Sequence, residues 1–131
     1  MSTNESELVA HWVDLLQPLG AVVSRAMFGG HGIYLDGTMF ALVHEDELYL
    51  KVDDTTEARF EAEGLPRFVY EKKGGGSMSM SYRKAPVAAL DDGDLLVTWA
   101  RLGVDAAQRA AKAKAAPRPR KGPAKRRSAK R

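Results

Sequence analysis

The chain has no cysteine, which excludes a disulfide framework, a thiol nucleophile and every cysteine-ligated zinc or iron–sulfur site. It has no apolar run near the ~18 residues that a membrane span needs. Its first residues, Met1 to Glu7, are acidic and polar, the opposite of a secretory or transit peptide. A cytoplasmic protein, at most associated with the nucleoid, is therefore expected. Histidine is scarce, with only His11, His31 and His44. Neither Gly-x-Ser-x-Gly nor Gly-Lys-Ser/Thr occurs, so the nucleophile elbow and the P-loop are both missing. What is present is 131 residues, 44% hydrophobic and 28% charged. That suits one globular domain with a real core, but not two.

The net charge of +3 conceals a split. Met1 to Ala111 carries 10 Lys/Arg against 17 Asp/Glu, a balance of −7, whereas Lys112 to Arg131 carries 10 against none. The second segment also lacks every aromatic, Leu, Ile, Val and Met side chain. It cannot bury enough apolar surface to offset a backbone entropy of roughly 1–2 kcal/mol per residue. Two parts are expected: a folded domain over 1–111 and a disordered Lys/Arg/Ala/Pro tail over 112–131. Pro117 and Pro119 stop any helix arriving from upstream, so disorder is firmest from Ala116.

The folded part reads as α+β. Leu8, Trp12, Leu15, Leu16 and Leu19 share one helical face, with Asn4 and Glu7 as a capping box and Pro18 and Gly20 as the stop. Ala21 to Phe28 is strand-like, and Gly29-Gly30-His31-Gly32 interrupts it. Ile33 to Leu35 leads through Asp36-Gly37, a strong hairpin signal, into Thr38 to Val43. His44 to Glu47 turns into Leu48 to Val52. A short helix over about 55–63 is expected, capped by Asp54 with Glu57 and closed by Gly64 and Pro66. Phe68 to Lys72 and Met78 to Tyr82 read as strands. Asp91 and Asp92 start a closing helix through Leu95, Leu96, Trp99 and Leu102, whose alanine-rich continuation to Lys114 is expected to fray. The order is helix, three-stranded antiparallel meander, helix, two strands, helix.

No residue set points to catalysis. His11 reads as a partly exposed structural histidine, and His44 as part of a solvated turn. His31 stands out because glycines around it would let a ligand approach the backbone. Yet the glycines lead into a strand, not a helix whose N-terminus could face phosphate, and position 35 is Leu where a dinucleotide fingerprint needs glycine. A bulge or kink that lets the strand coil over the core is the simpler reading. The pairs Asp53-Asp54 and Asp91-Asp92 fit helix caps without a metal ion. Tyr34, Phe40, Tyr49, Phe68, Tyr70 and Tyr82 fit strand packing. A stacking platform for single-stranded nucleic acid would set such rings among Lys and Arg, and Lys51, Lys72, Lys73, Arg83 and Lys84 give that partial support, but the domain is acidic overall. Catalytic, cofactor and metal sites are accordingly expected to be absent.

The tail carries the strongest signal for a partner. Lys112, Lys114, Arg118, Arg120, Lys121, Lys125, Arg126, Arg127, Lys130 and Arg131 are the candidate nucleic-acid contacts. With about 5–8 phosphate contacts, affinity should fall roughly 10³-fold between 50 and 200 mM salt. None of these side chains is arranged to read bases, so binding to DNA would be independent of sequence. The competing reading is a solubilising tail, or one that folds back on the acidic domain.

The run Met27-Phe28-Gly29-Gly30-His31-Gly32-Ile33-Tyr34-Leu35-Asp36-Gly37-Thr38-Met39-Phe40 resembles the signature of the TfoX/Sxy family N-terminal domain. The likeness continues through Leu48 to Asp53, Phe60, Gly64, Phe68 to Tyr70, Met80 to Tyr82, Pro86 and Trp99, covering roughly Leu8 to Ala110. The resemblance implies a non-enzymatic α+β domain in bacterial proteins linked to competence for natural transformation. The family's best-known members act with the cyclic-AMP receptor protein at promoters and carry a second, helical domain. Here a basic tail stands in that place, so a stand-alone form is expected, with no catalytic residue to transfer. Together these readings anticipate a regulatory protein that touches DNA through its tail and a transcription factor through its domain. The alternatives are a protein-interaction module without nucleic acid, or a small-ligand sensor or enzyme built around His31.

Overall fold

The computed structural model describes residues 2–27, 29–71 and 77–115. Expectations that fall on Phe28, on the Gly74-Gly75-Gly76 connection and on 116–131 lie outside the described residues.

Helix α1 (Ser2–Leu15) buries Val9 and Trp12 and leads to buried Leu16. It starts upstream of Asn4, so the expected Asn4–Glu7 capping box does not form its beginning. Nothing from Ser2 to Asn4 breaks a helix, and Glu5 places negative charge in the first turn, where the helix dipole favours it. A 3₁₀ turn (Gln17–Leu19) containing Pro18 follows, and Gly20 at φ +138° ends it.

The meander has four strands: β1 (Val22–Met27), β2 (Gly30–Leu35), β3 (Thr38–His44) and β4 (Glu47–Lys51). The expected count of three fails because the glycine run does not interrupt a strand. Gly30, His31 and Gly32 belong to β2 and pair with Met27, Ala26 and Arg25. Asp36 (φ +53°) and Gly37 (φ +82°) close the β2–β3 hairpin as two left-handed residues, the geometry that matches strand twist. Glu45 and Asp46 close β3–β4 in the same way. The ladder's irregularity lies at Ile33/Tyr34, after the glycines, where Ile33 pairs with Ala41 and Tyr34 with Met39. Phe40 is the extra residue, and its ring is buried.

Helix α2 (Glu57–Ala62) then leads to β5 (Arg67–Glu71) and β6 (Ser77–Lys84). The sheet order is β1-β2-β3-β4-β6-β5, antiparallel throughout, with β6 inserted between β4 and β5. Asp53, not Asp54, organises the entry to α2. Its Oδ1 accepts from the Thr55 and Thr56 amides at 3.0 and 3.2 Å, while Thr56 Oγ1 accepts from the Asp53 amide. The Asx turn simply sits one residue earlier than the capping-box spacing suggests.

Helix α3 (Gly93–Ala115) starts where Asp92 accepts from the Leu95 amide at 3.1 Å, as expected of a cap. Its alanine-rich continuation is packed as far as Ala107, with Ala106 and Ala107 buried, and is exposed but still helical over 108–113. A Cβ on Gly103 would lie 3.0 Å from the Phe40 carbonyl oxygen. Small side chains let the helix approach β3 and β4 closely, which a count of large apolar residues does not register. The helix runs through Ala115, so residues 112–115 of the expected tail continue it. Alanine and lysine are strong helix formers, which accounts for the extension.

The helices and one side of the sheet form the core around Leu16, Ile33, Phe40, Leu48, Leu50, Phe60 and Leu96. The Phe60 and Trp99 rings meet edge-on at 5.0 Å. Trp12 Nε1 donates to the Leu90 carbonyl at 3.1 Å, pinning α1 beside the start of α3.

Candidate functional site

The strand registers assign the side chains of the sheet to two faces. Leu50 and Arg83 are opposite one another on the side of α2 and α3, and Tyr49, Lys51, Tyr82 and Lys84 alternate to the other side. Gly32 and Leu42 pair there, as do Tyr34 and Met39, with Arg25 beside Gly32 on β1. The described helices contribute to the opposite core. This second side has its own cluster of Leu42, Phe68 and Tyr82, with Met39 and Tyr49 packed against it.

Phe68 stands edge-on to Tyr49 at 4.8 Å and to His44 at 5.4 Å. The Lys51 ammonium lies 5.2 Å from the Tyr82 ring centre, and the Arg25 guanidinium 5.1 Å from that of Tyr34. Burial pushes the Tyr82 phenol up to about 12. Tyr49 is raised by burial and then by the neighbouring Glu47 carboxylate. Part of the sequence-inferred aromatic platform is thus assembled. Phe40 instead enters the main core. Arg83 is committed elsewhere: Nε donates to Glu57 at 3.0 Å and Nη1 to the Leu65 carbonyl at 2.8 Å. Arg67 also reaches Glu57, at 2.6 Å. Phe68 and Tyr82 are themselves buried, so their faces are not free for stacking bases.

Gly30 and Gly32 are required by close contacts within the protein. A Cβ on Gly30 would lie 2.2 Å from the Val43 carbonyl oxygen. One on Gly32 would meet Met39 Sδ at 2.7 Å and Met27 Sδ and Tyr34 Cε1 at 3.0 Å. The space that glycine leaves is already filled by the protein. His31 points the other way, towards α1, where Nδ1 lies 3.6 Å from Glu5 Oε1, beyond hydrogen-bond reach. Glu5 Oε2 accepts from the Asp46 amide at 3.2 Å, tying α1 to the β3–β4 turn. His11 pairs with exposed Asp91 at 3.2 Å, and His44 lies 3.8 Å from Glu45. Among the described residues no group of three or more His, Asp or Glu is placed to hold a metal ion.

With this geometry in place, residues 14–107 match the family model of the TfoX N-terminal domain. The chain belongs to that family. It is 37% identical over 68 residues to the "DNA transformation protein TfoX1" of Aliivibrio fischeri, covering 52% of this chain and 32% of that protein. It is 29% identical over 94 residues to "Protein Sxy" of Escherichia coli K12, covering 72% of this chain and 44% of that protein. The chain thus spans less than half the length of either relative.

In this TfoX N-terminal domain the family match takes in all six strands, α2 and α3 as far as Ala107. The basic segment lies beyond it. Lys112 is exposed on α3, near Asp105, Gln108 and Arg109. Lys114 continues the same helix. Arg118, Arg120, Lys121, Lys125, Arg126, Arg127, Lys130 and Arg131 lie outside the described residues. Glu5 and Arg109 have no local signal because their partners, the Asp46 amide and Asp53, are brought to them only by the tertiary fold, and Glu57, expected as part of a helix cap, instead accepts from Arg83. No helix among the described residues is long and apolar enough to cross a membrane.

Proposed function

We propose that this chain is a non-enzymatic TfoX-family regulator in the cytoplasm, whose folded domain engages a protein partner while its basic segment holds DNA without regard to sequence. The supporting observation is the charge split: −7 over 1–111 and +10 over 112–131. An acidic domain does not gather on a polyanion by itself, whereas a dense cationic run does, through release of counterions. The first of these cations, Lys112, is exposed on helix α3. The TfoX1 relative is named as a DNA transformation protein, and a part in competence is the corresponding reading here.

Titration of labelled duplex with the full chain, and with a chain ending at Ala111, tests this. The full chain should bind with affinity that falls roughly 10³-fold from 50 to 200 mM salt. Equal binding by both forms, or no salt dependence, overturns the role of the tail. The second reading, an interaction module without nucleic acid, draws on the sheet side that carries Tyr34, Tyr49 and Lys51 and faces away from the main core. Binding of a transcription factor by the shortened chain, with no DNA bound by the full one, would favour it.

A further inference from the structure

The sheet ends on one side at β1, and its free edge has an alternation that can be read residue by residue. Leu35 and Thr38 flank the two-residue hairpin, so the Leu35 backbone faces β3 and not β1. Its β1 partner, Val22, therefore points its N–H and C=O outwards. Both Val22 groups are occupied: the amide donates to the Gly20 carbonyl at 2.8 Å, and the carbonyl accepts from Gln17 Nε2 at 3.1 Å. By alternation, Ser24 and Ala26 point outwards next, while Val23, Arg25 and Met27 bond to β2.

The strand from Val23 to Ala26 is exposed, and Val23 is half exposed despite its apolar side chain. Val23 and Arg25 share the sheet side that faces away from the helices. Ser24 and Ala26, on the other side, are small. At the opposite edge, β5 follows Pro66 and carries Arg67, features that blunt an edge. β1 has no proline and a single charge.

A second copy of the chain is a poor occupant. Antiparallel pairing of Ser24 with Ala26 of another copy sets Arg25 directly opposite Arg25, and like charges so placed repel. Pairing Ser24 with itself requires the Val22 groups that Gln17 and Gly20 hold. Centring on Ala26 bonds one residue pair within the strand. Arg25 itself stacks on Tyr34 and has no carboxylate in ion-pair contact among the described residues. The chemistry that completes this edge is an extended strand with a carboxylate facing Arg25 and an apolar side chain facing Val23.

We propose that β1 is a docking edge for an acidic, extended peptide segment of a partner protein, added as a seventh strand through the Ser24 and Ala26 backbone. This deepens the protein-partner half of the function proposed above and makes no use of the tail.

The test uses the full chain and short capped peptides of alternating Thr and Val with Glu, Gln or Lys at the centre. Binding is read by protection of the Ser24 and Ala26 amides from hydrogen exchange. The Glu peptide should protect both amides and the Lys peptide neither. Ser24→Pro removes an outward N–H while leaving the β1–β2 ladder intact, and should weaken the Glu peptide about tenfold or more. Arg25→Glu, a change at an exposed side chain, should reverse the preference towards the Lys peptide. Protection that ignores the central charge, binding that survives Ser24→Pro, or no binding of any peptide overturns the proposal. So does concentration-dependent protection of these amides in the free protein, which would make a second copy the occupant. Duplex titration of the unsubstituted full chain keeps the two readings apart: salt-dependent DNA binding by a chain that binds none of the peptides overturns the edge alone.

Discussion

Arg109, near the end of the packed part of α3, grips Asp53, two residues past β4, with two hydrogen bonds: Nε to Oδ2 at 2.7 Å and Nη2 to Oδ1 at 3.1 Å. The same carboxylate accepts the Thr55 and Thr56 amides that open α2. One side chain therefore joins a strand, a helix start and a distant helix. Asp53→Ala should destabilise the domain by about 1–2 kcal/mol, as loss of a helix-start acceptor does. Arg109→Ala should lower stability less, since Arg109 is exposed. Together the two changes should cost less than their separate effects added, as denaturant titration would show.

That pairing also fixes a pH dependence. The hydrogen bonds from Arg109 are the main reason the Asp53 carboxyl lies below the ordinary aspartate range, with burial opposing them. As pH falls, the unfolded chain takes up this proton before the folded one. The stabilisation is thus complete above the ordinary aspartate value of ~3.9 and is lost as pH falls through the lower folded value. Asp53→Asn keeps an acceptor for α2 but cannot titrate. It should flatten the acid limb of the stability curve, measured by denaturation between neutral pH and the acid transition.

Gly30 and Gly32 share a motif but not a tolerance. A Cβ on Gly30 meets backbone, the Val43 carbonyl oxygen at 2.2 Å, and the two strands must move apart to admit it. Gly32→Ala meets the ends of Met39, Met27 and Tyr34, which can rotate. Gly30→Ala should cost about 3 kcal/mol or more and Gly32→Ala about 1. Thermal unfolding of the two variants would order them, and equal losses would mean that the Val43 approach is not the constraint.

These two glycines show where the sequence was legible. The Asp36-Gly37 turn was readable because its reason is local: two residues must adopt positive φ between strands. The Trp12 face and the Asp92 cap were readable for the same cause, a short-range period or spacing. Gly30 was conspicuous, but its reason lies at Val43 in another strand, so the segment looked like a kink or a cradle. Asp53 and Asp54 are adjacent and alike, and only the Thr55 and Thr56 amides distinguish them. Arg109 is 56 residues from Asp53, with no pattern linking them. The β1 edge became visible only once the strand order was known.

The alanines of α3 invite a direct check on close packing. Ala107 is buried and Gln108, its neighbour, is exposed. Ala107→Leu should destabilise by about 1–3 kcal/mol through overpacking, while Gln108→Leu should stay within about 0.5 kcal/mol. Both substitutions add a good helix former, so propensity alone would predict no difference. Urea denaturation separates the two. A stable Ala107→Leu protein would mean that α3 can lift from β3 and β4 at no cost.

Tyr82 should govern the alkaline limb. Its phenol, buried beneath Lys51, titrates at about 12, mainly because burial disfavours the phenolate. An unfolded tyrosine titrates near ~10. Between these values the unfolded chain has lost the proton and the folded one has kept it, so stability falls as pH rises. Each pH unit in that window removes about 1.4 kcal/mol, and the loss approaches roughly 2–3 kcal/mol at its upper end. Phenolate absorbance should therefore show Tyr82 ionising together with unfolding rather than before it. Tyr82→Phe keeps the ring and removes the titrating group, so its stability should decline less steeply above pH ~10. Parallel alkaline limbs for the two proteins would place the cause elsewhere.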